Sequence, residues 1–190
     1  MRKNIKLLLK ELEKTRKDFW NISTETGIFL NQLIRTNKIK TVLEIGTSNG
    51  VSGIWMAEAL SQNAKTNPKA QMLYTIESHK KLRFHLATEN FKKAKLTKFI
   101  TQILGHAPDV IPQKPKKFDL IFLDATKYEH EDYLKKILPR TKKGSIIITD
   151  NAISHREALA PYSKTIKSMK EFKTNLLEIG SGLLVSTRLF

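Results

Sequence analysis

The sequence predicts an open, doubly wound α/β sheet, mostly parallel, closed at one edge by a C-terminal antiparallel hairpin. Three observations carry that reading. Five short, continuous apolar runs occupy residues 41–45, 72–76, 99–104, 118–123 and 145–149, the pattern of strands buried on both faces. Helix-patterned segments at 51–62, 80–94 and 130–138 alternate with them, as in a parallel sheet covered by helices. Residues 175–179 and 183–187 flank Gly180-Ser-Gly182 and read as two hairpin strands, making seven strands in all.

Ahead of the first strand, residues 3–20 read as a basic amphipathic helix. Ile5, Leu8, Leu9, Leu12 and Phe19 fall at helical spacing with lysines between them. Its apolar face is expected to pack on the domain or on a second subunit, as in a homodimer, rather than on a membrane. A second helix is expected over 23–36, with Ser23 or Thr24 as its cap. No internal repeat or linker interrupts residues 1–190, so one domain is expected.

Composition narrows the function classes. The 190 residues are 40% hydrophobic and 27% charged, enough apolar content for one core and incompatible with wholesale disorder. The absence of cysteine excludes disulfides, thiolate metal sites and a Cys nucleophile, leaving oxygen and nitrogen ligands. Met1-Arg-Lys-Asn-Ile-Lys6 resembles the start of a signal peptide, but Lys10, Glu11 and Glu13 interrupt any following apolar stretch. No run approaches the roughly 18 apolar residues of a membrane span, so a cytoplasmic protein is expected. The formal charge of +16 comes from 27 lysines and 7 arginines against 18 acids. Such a field attracts polyanions, although lysine spread through every segment fits a solvated basic surface equally well.

In an open α/β sheet, ligands bind beyond the carboxyl ends of the strands. After the first strand comes Glu44-Ile-Gly-Thr-Ser-Asn-Gly50, whose glycines are spaced neither as a dinucleotide fingerprint nor as a phosphate loop. It is either a structural turn or a close approach for a cofactor without a pyrophosphate, such as S-adenosylmethionine. Glu77 ends the second strand and would accept both hydroxyls of a ribose; alone it reads equally as a solvated acid. Asp124 follows the fourth apolar run and Asp150-Asn151 the fifth. Taken singly these residues suit a helix cap and a turn. Side by side, the two carboxylates would repel, and a hard cation such as Mg²⁺ with the Asn151 amide would neutralise them. Lys127 is either a surface charge or, near a cation, a general base. His106 and His155 lie in loops that would border a cofactor and a substrate.

These residues resemble the metal-dependent O-methyltransferases, the family of catechol and caffeoyl-CoA O-methyltransferases, and are also similar to bacterial tRNA hydroxyuridine methyltransferases. The marks are Val42-Leu-Glu-Ile-Gly-Thr-Ser-Asn-Gly-Val-Ser52, Glu77, Gly105-His-Ala107, Phe122-Leu-Asp-Ala-Thr-Lys127 and Thr149-Asp-Asn151. The resemblance implies a Rossmann-like class I methyltransferase fold. It places Ile22, Glu44, Gly46, Thr47, Ser48 and Ser52 at the methionine end of S-adenosylmethionine, and Glu77 and Ser78 at its ribose. His106 and Ala107 would border the adenine. Asp124, Asp150 and Asn151 would hold Mg²⁺ or another divalent cation, with Asp124 also beside the cofactor, and Lys127 would be the base. Val51 and Ile153-Ser-His155 depart from the usual family pattern, the latter in the acceptor pocket. The implied acceptor is a hydroxyl with a vicinal oxygen, in a catechol-like small molecule or in a hydroxylated tRNA uridine. A non-catalytic basic RNA-binding module is the alternative from another class.

Overall fold

The computed structural model describes residues 1–64 and 72–190. Alternation along β1 (Thr41–Ile45) sends Val42 and Glu44 to one face of the sheet and Leu43 and Ile45 to the other. The same alternation recurs in β2 (Met72–Glu77), β4 (Leu120–Leu123) and β5 (Ile146–Thr149). Each strand therefore feeds two cores. Over the first lie α1 (Lys3–Glu13), α3 (Thr24–Thr36), α4 (Val51–Asn63) and α5 (Arg83–Lys93), contributing Ile5, Leu30, Ile54 and Phe91. Over the second lie α6 (Ala107–Val110), α7 (His130–Ile137) and α8 (Ala160–Ser168), contributing Ala107, Leu134 and Tyr162.

With β3 (Ile100–Leu104), β6 (Phe172–Leu177) and β7 (Leu183–Arg188), the sheet has seven strands in the order β3-β2-β1-β4-β5-β7-β6. The first five in that order run parallel, while β7 is antiparallel to both β5 and β6. The expected architecture is therefore present, with the second hairpin strand tucked inside the first. The chain leaves β1 toward β2 and β3 on one side and continues through β4 and β5 on the other. The crevice between β1 and β4 is thus the switch point.

Local chemistry sets the element ends. Ser23 caps α3 by accepting from the Thr26 N–H at 3.2 Å, as expected. Gly50 opens α4 at a left-handed φ of 90°, and a Cβ there would fall 2.7 Å from the Phe91 ring, so both conformation and space require glycine.

The expected single helix over 3–20 is instead two. α1 stops at Glu13, the Thr15 hydroxyl donates to the Leu12 carbonyl at 3.0 Å, and α2 (Arg16–Phe19) ends on left-handed Trp20. The break arises because the apolar face of α1 lies on α4, whereas the next residues must turn across the strand ends. The helix expected over 80–94 begins at Arg83, and α6 and α8 were not foreseen.

His130 opens α7 fully buried between Tyr133 and Tyr162, its Nδ1 3.0 Å from the Thr126 carbonyl and its Nε2 without a partner among the described residues. Burial, followed by the positive charge of Lys127, pulls its pKa down from 6.5 to about 4. Between those values the unfolded chain binds a proton that the folded one refuses, so this contribution to stability falls as pH falls from 6.5 toward 4. Urea melts should show His130→Phe lacking this loss. The unaltered protein should drop by about 2 kcal/mol relative to the variant between pH 7.5 and pH 5.

Candidate active site

Gly46 makes the closest crossing at the switch point. It takes a φ of 105°, and a Cβ there would lie 2.0 Å from the Asp124 carbonyl oxygen. The backbone can turn between β1 and β4 only because glycine stands there. The N–H groups of Gly46 and Thr47 donate to the Ile76 carbonyl, and that of Asp124 to Ile45. Left-handed Ser48 then directs its N–H to Glu77 Oε2 at 2.8 Å, while the His79 N–H donates to Oε1 at 2.8 Å. Glu77 is thereby held by two backbone donors, one per oxygen, and each oxygen keeps a second lone pair for a ligand.

Above this turn lies a cavity of about 960 Å³, large enough for a nucleoside and a small acceptor. Its floor is Gly46, Ser48, Glu77 and Ser78. At the β3 end stand His106, Ala107, Glu129 and Tyr133, and at the β4–β5 end Asp124, Lys127, Asn151 and His155. Arg16, Lys17, Phe19, Trp20 and Asn21 form a roof, which is tied down where the Ser48 hydroxyl donates to the Phe19 carbonyl at 2.7 Å. Arg83 stacks on the Trp20 ring 4.6 Å from its centroid. The tip of the C-terminal hairpin closes the far end. Backbone N–H groups of Ala152, Ile153 and Ser154 donate to carbonyls of Gly182 and Ser181, and a Cβ on Gly182 would collide with Ile153.

The two acids end adjacent strands. Leu123 pairs with Thr149, and the Asp150 N–H donates to the Leu123 carbonyl at 3.0 Å, so Asp124 and Asp150 emerge side by side. Lys127 Nζ donates to Asp124 Oδ1 at 2.9 Å. Asp150 is buried, and its Oδ1 makes no hydrogen bond among the described residues. Burial, with the charge of Asp124 adding to it, pushes its pKa well above the usual carboxylate range. An unpaired buried carboxylate oxygen beside a second carboxylate is the environment that a cation relieves. Two carboxylates and the adjacent Asn151 amide are oxygen donors of the kind that would fit a hard divalent ion. Among the described residues no three His, Asp or Glu side chains are arranged to hold a metal ion, so a cation here would need the amide as well.

The structure brings Gly46, Ser48, Glu77, Ser78, His106, Ala107, Asp124, Lys127, Asn151 and His155 to the wall of one cavity. It places Ile22, Thr47, Ser52 and Glu44 beneath that wall, all buried. Glu44 faces α4 because β1 alternates; there it accepts from the Ser52 hydroxyl, and from the Thr75 hydroxyl at 2.5 Å. Thr47 in turn contacts Thr75. Sequence reasoning missed Arg16, Trp20, Asn21, Arg83, Glu129 and Tyr133 on the wall. The four-residue spacing of Glu129 and Tyr133 was the one legible sign of a pair on a common face.

Together these features define a Rossmann-like α/β fold with a ligand cavity over its switch point. The chain belongs to the O-methyltransferase family, whose profile matches residues 2–185. It is 34% identical over 143 residues to a catechol O-methyltransferase of Niastella koreensis, a match covering 73% of this chain and 61% of that relative. The chain thus spans about three fifths of that relative's length. To caffeoyl-CoA O-methyltransferase 1 of Eucalyptus globulus it is 28% identical over 191 residues, 95% of this chain and 74% of that one. An O-methyltransferase from Bacillus cereus, solved in complex with SAH, superposes with a TM-score of 0.82 at 23% identity, covering 99% of this chain and 91% of that chain. This last likeness establishes the fold. Among the described residues no helix is long and apolar enough to cross a membrane.

Burial raises the pKa of Glu44 from 4.5 to about 8, against the lowering effect of the Ser52 and Thr75 hydroxyls. The folded chain keeps this proton where the unfolded one releases it, so the contribution to stability declines as pH rises from about 4.5 to about 8. Gln is uncharged at every pH and so removes this titration, while its carbonyl keeps one acceptor. In denaturant melts Glu44→Gln should therefore gain on the unaltered protein steadily between pH 5 and pH 8.

Proposed function

We propose that the chain is an O-methyltransferase that moves a methyl group from S-adenosylmethionine to a hydroxyl with a neighbouring oxygen, aided by a divalent cation. The single observation that carries this reading is the unpaired, buried Asp150 Oδ1, at the strand end beside that of Asp124, which lines the cavity with Asn151 and Lys127. The relatives named for catechol and caffeoyl-CoA methylation and the SAH-bound neighbour support the cofactor and the acceptor chemistry.

Each residue then has a task. The Gly46 turn lets the backbone approach the cofactor, and Glu77, fixed by two N–H donors, accepts ribose hydroxyls. His106 and Ala107 border the base. Asp124, Asp150 and Asn151 hold the cation, which when bound lowers the pKa of a chelated hydroxyl and fixes its direction. Lys127, whose Nζ lies 2.9 Å from Asp124 Oδ1, would serve as the general base for the hydroxyl proton. The methyl carbon leaves the sulfonium sulfur, which keeps the bonding pair, and joins the oxygen; a thioether, an ether and a protonated lysine result. Alignment of the two centres is the main service of the roof and walls.

Asp150→Ala and Lys127→Met should each lower methyl transfer by at least about 100-fold, measured with labelled cofactor and a catechol. Chelation should abolish turnover, with Mg²⁺ restoring it. Undiminished activity in Asp150→Ala would refute the metal reading.

A second acceptor, a hydroxylated uridine in tRNA, is favoured by the +16 charge and by Arg16, Lys17 and Arg83 around the mouth. Labelled cofactor offered to bulk tRNA and to a catechol panel distinguishes the two. Transfer to tRNA should weaken steeply with salt, whereas transfer confined to catechols removes the RNA reading. A non-catalytic RNA-binding module would bind tRNA without turnover and be indifferent to chelator.

A further inference from the structure

We propose that Glu129 selects the purine of the bound nucleoside by accepting a hydrogen bond from the exocyclic amine of adenine; this rests on the S-adenosylmethionine reading above. Glu129 lies in the turn after β4, yet its carboxylate reaches the β3 end of the cavity. There Oε2 accepts from the Tyr133 hydroxyl at 2.5 Å and pairs with His106 Nε2 at 3.1 Å. His106 is itself held from its other side, Nδ1 lying 3.3 Å from Asp109 Oδ2. One oxygen of Glu129 thus takes two partners, while Oε1 takes none among the described residues. The residue lines the cavity, and its side chain is 35% exposed.

A carboxylate fixed through one oxygen and free at the other is pre-organised to receive an N–H donor, with little freedom left to lose on binding. The acceptor end of the cavity is lined by Asp124, Lys127 and Asn151, so the base of a nucleoside lying across Glu77 extends toward His106 and Glu129. Adenine presents an amine at its sixth position and hypoxanthine an oxygen. That oxygen would face the carboxylate acceptor to acceptor, with neither able to donate. A site built to pair one group rejects the analogue that cannot pair.

The test titrates S-adenosylhomocysteine and its 6-oxo counterpart, S-inosylhomocysteine, by calorimetry into the unaltered protein, Glu129→Gln and Tyr133→Phe. The unaltered protein should prefer the adenine compound by about 10- to 100-fold, the range for one hydrogen bond to a charged group. Glu129→Gln, whose amide both donates and accepts, should bring the two affinities within a few-fold. Tyr133→Phe keeps the carboxylate but removes one restraint, and should lower the preference partway. A preference that is absent in the unaltered protein, or unchanged in both variants, overturns the role of Glu129 and leaves the cofactor reading standing. Failure of the unaltered protein to bind either compound overturns both.

Discussion

The register of three parallel strands is the constraint on which the rest depends. Ile45 of β1 pairs with Leu123 of β4, which pairs with Thr149 of β5, so the three strands end at one level. Asp124 and Asp150 follow directly, locked by N–H groups that donate to the carbonyls of Ile45 and Leu123. Because side chains alternate along a strand, a slip by one residue would invert every face. The same slip would pull the two acids apart and drive Glu44 from beneath α4 to the opposite side. Core packing and the position of the acids are therefore one property of the backbone ladder.

A second layer of organisation comes from carboxylates held by their surroundings. Glu77 is fixed by backbone donors, Glu44 by hydroxyls under the floor, and Glu129 by a phenol and an imidazole. Asp150 alone among these acids is buried with an oxygen that nothing satisfies. That contrast, more than the number of acids, marks where an added positive charge belongs. Lys127 partly plays that part by pairing with Asp124.

Much of this was legible in the sequence, for identifiable reasons. Strands buried on both faces leave uninterrupted apolar runs, so β1, β2, β4 and β5 were readable within two residues, and strand-end chemistry pointed to Gly46, Glu77, Asp124 and Asp150. The hairpin was readable from its glycines, although β6 begins at Phe172 rather than at residue 175. What the sequence hid depends on distance. The roof formed by α2 exists because α1 breaks at Thr15, and that break reflects packing on α4 rather than any glycine or proline. Trp20 and Arg83 stack at the cavity from segments far apart in the chain. The pairing of His106 with Glu129 joins loops after β3 and β4, strands that are not neighbours in the sheet. Glu44 carries a motif position, yet strand alternation puts its carboxylate under the cavity floor.

The backbone bonds from Ala152, Ile153 and Ser154 to the tip of the C-terminal hairpin divide the molecule into two halves with separate histories open to them. The floor is made from the turns after the first two strands, and the β3 end from the loop after β3 with Glu129 and Tyr133 reaching in from the segment after β4. The opposite end is shaped by the loop after β5 and by the tail that braces it. Substitutions or insertions around Ser181 can thus recontour one end of the chamber without disturbing the other. A lineage of such proteins can vary one end of the chamber while inheriting the other unchanged.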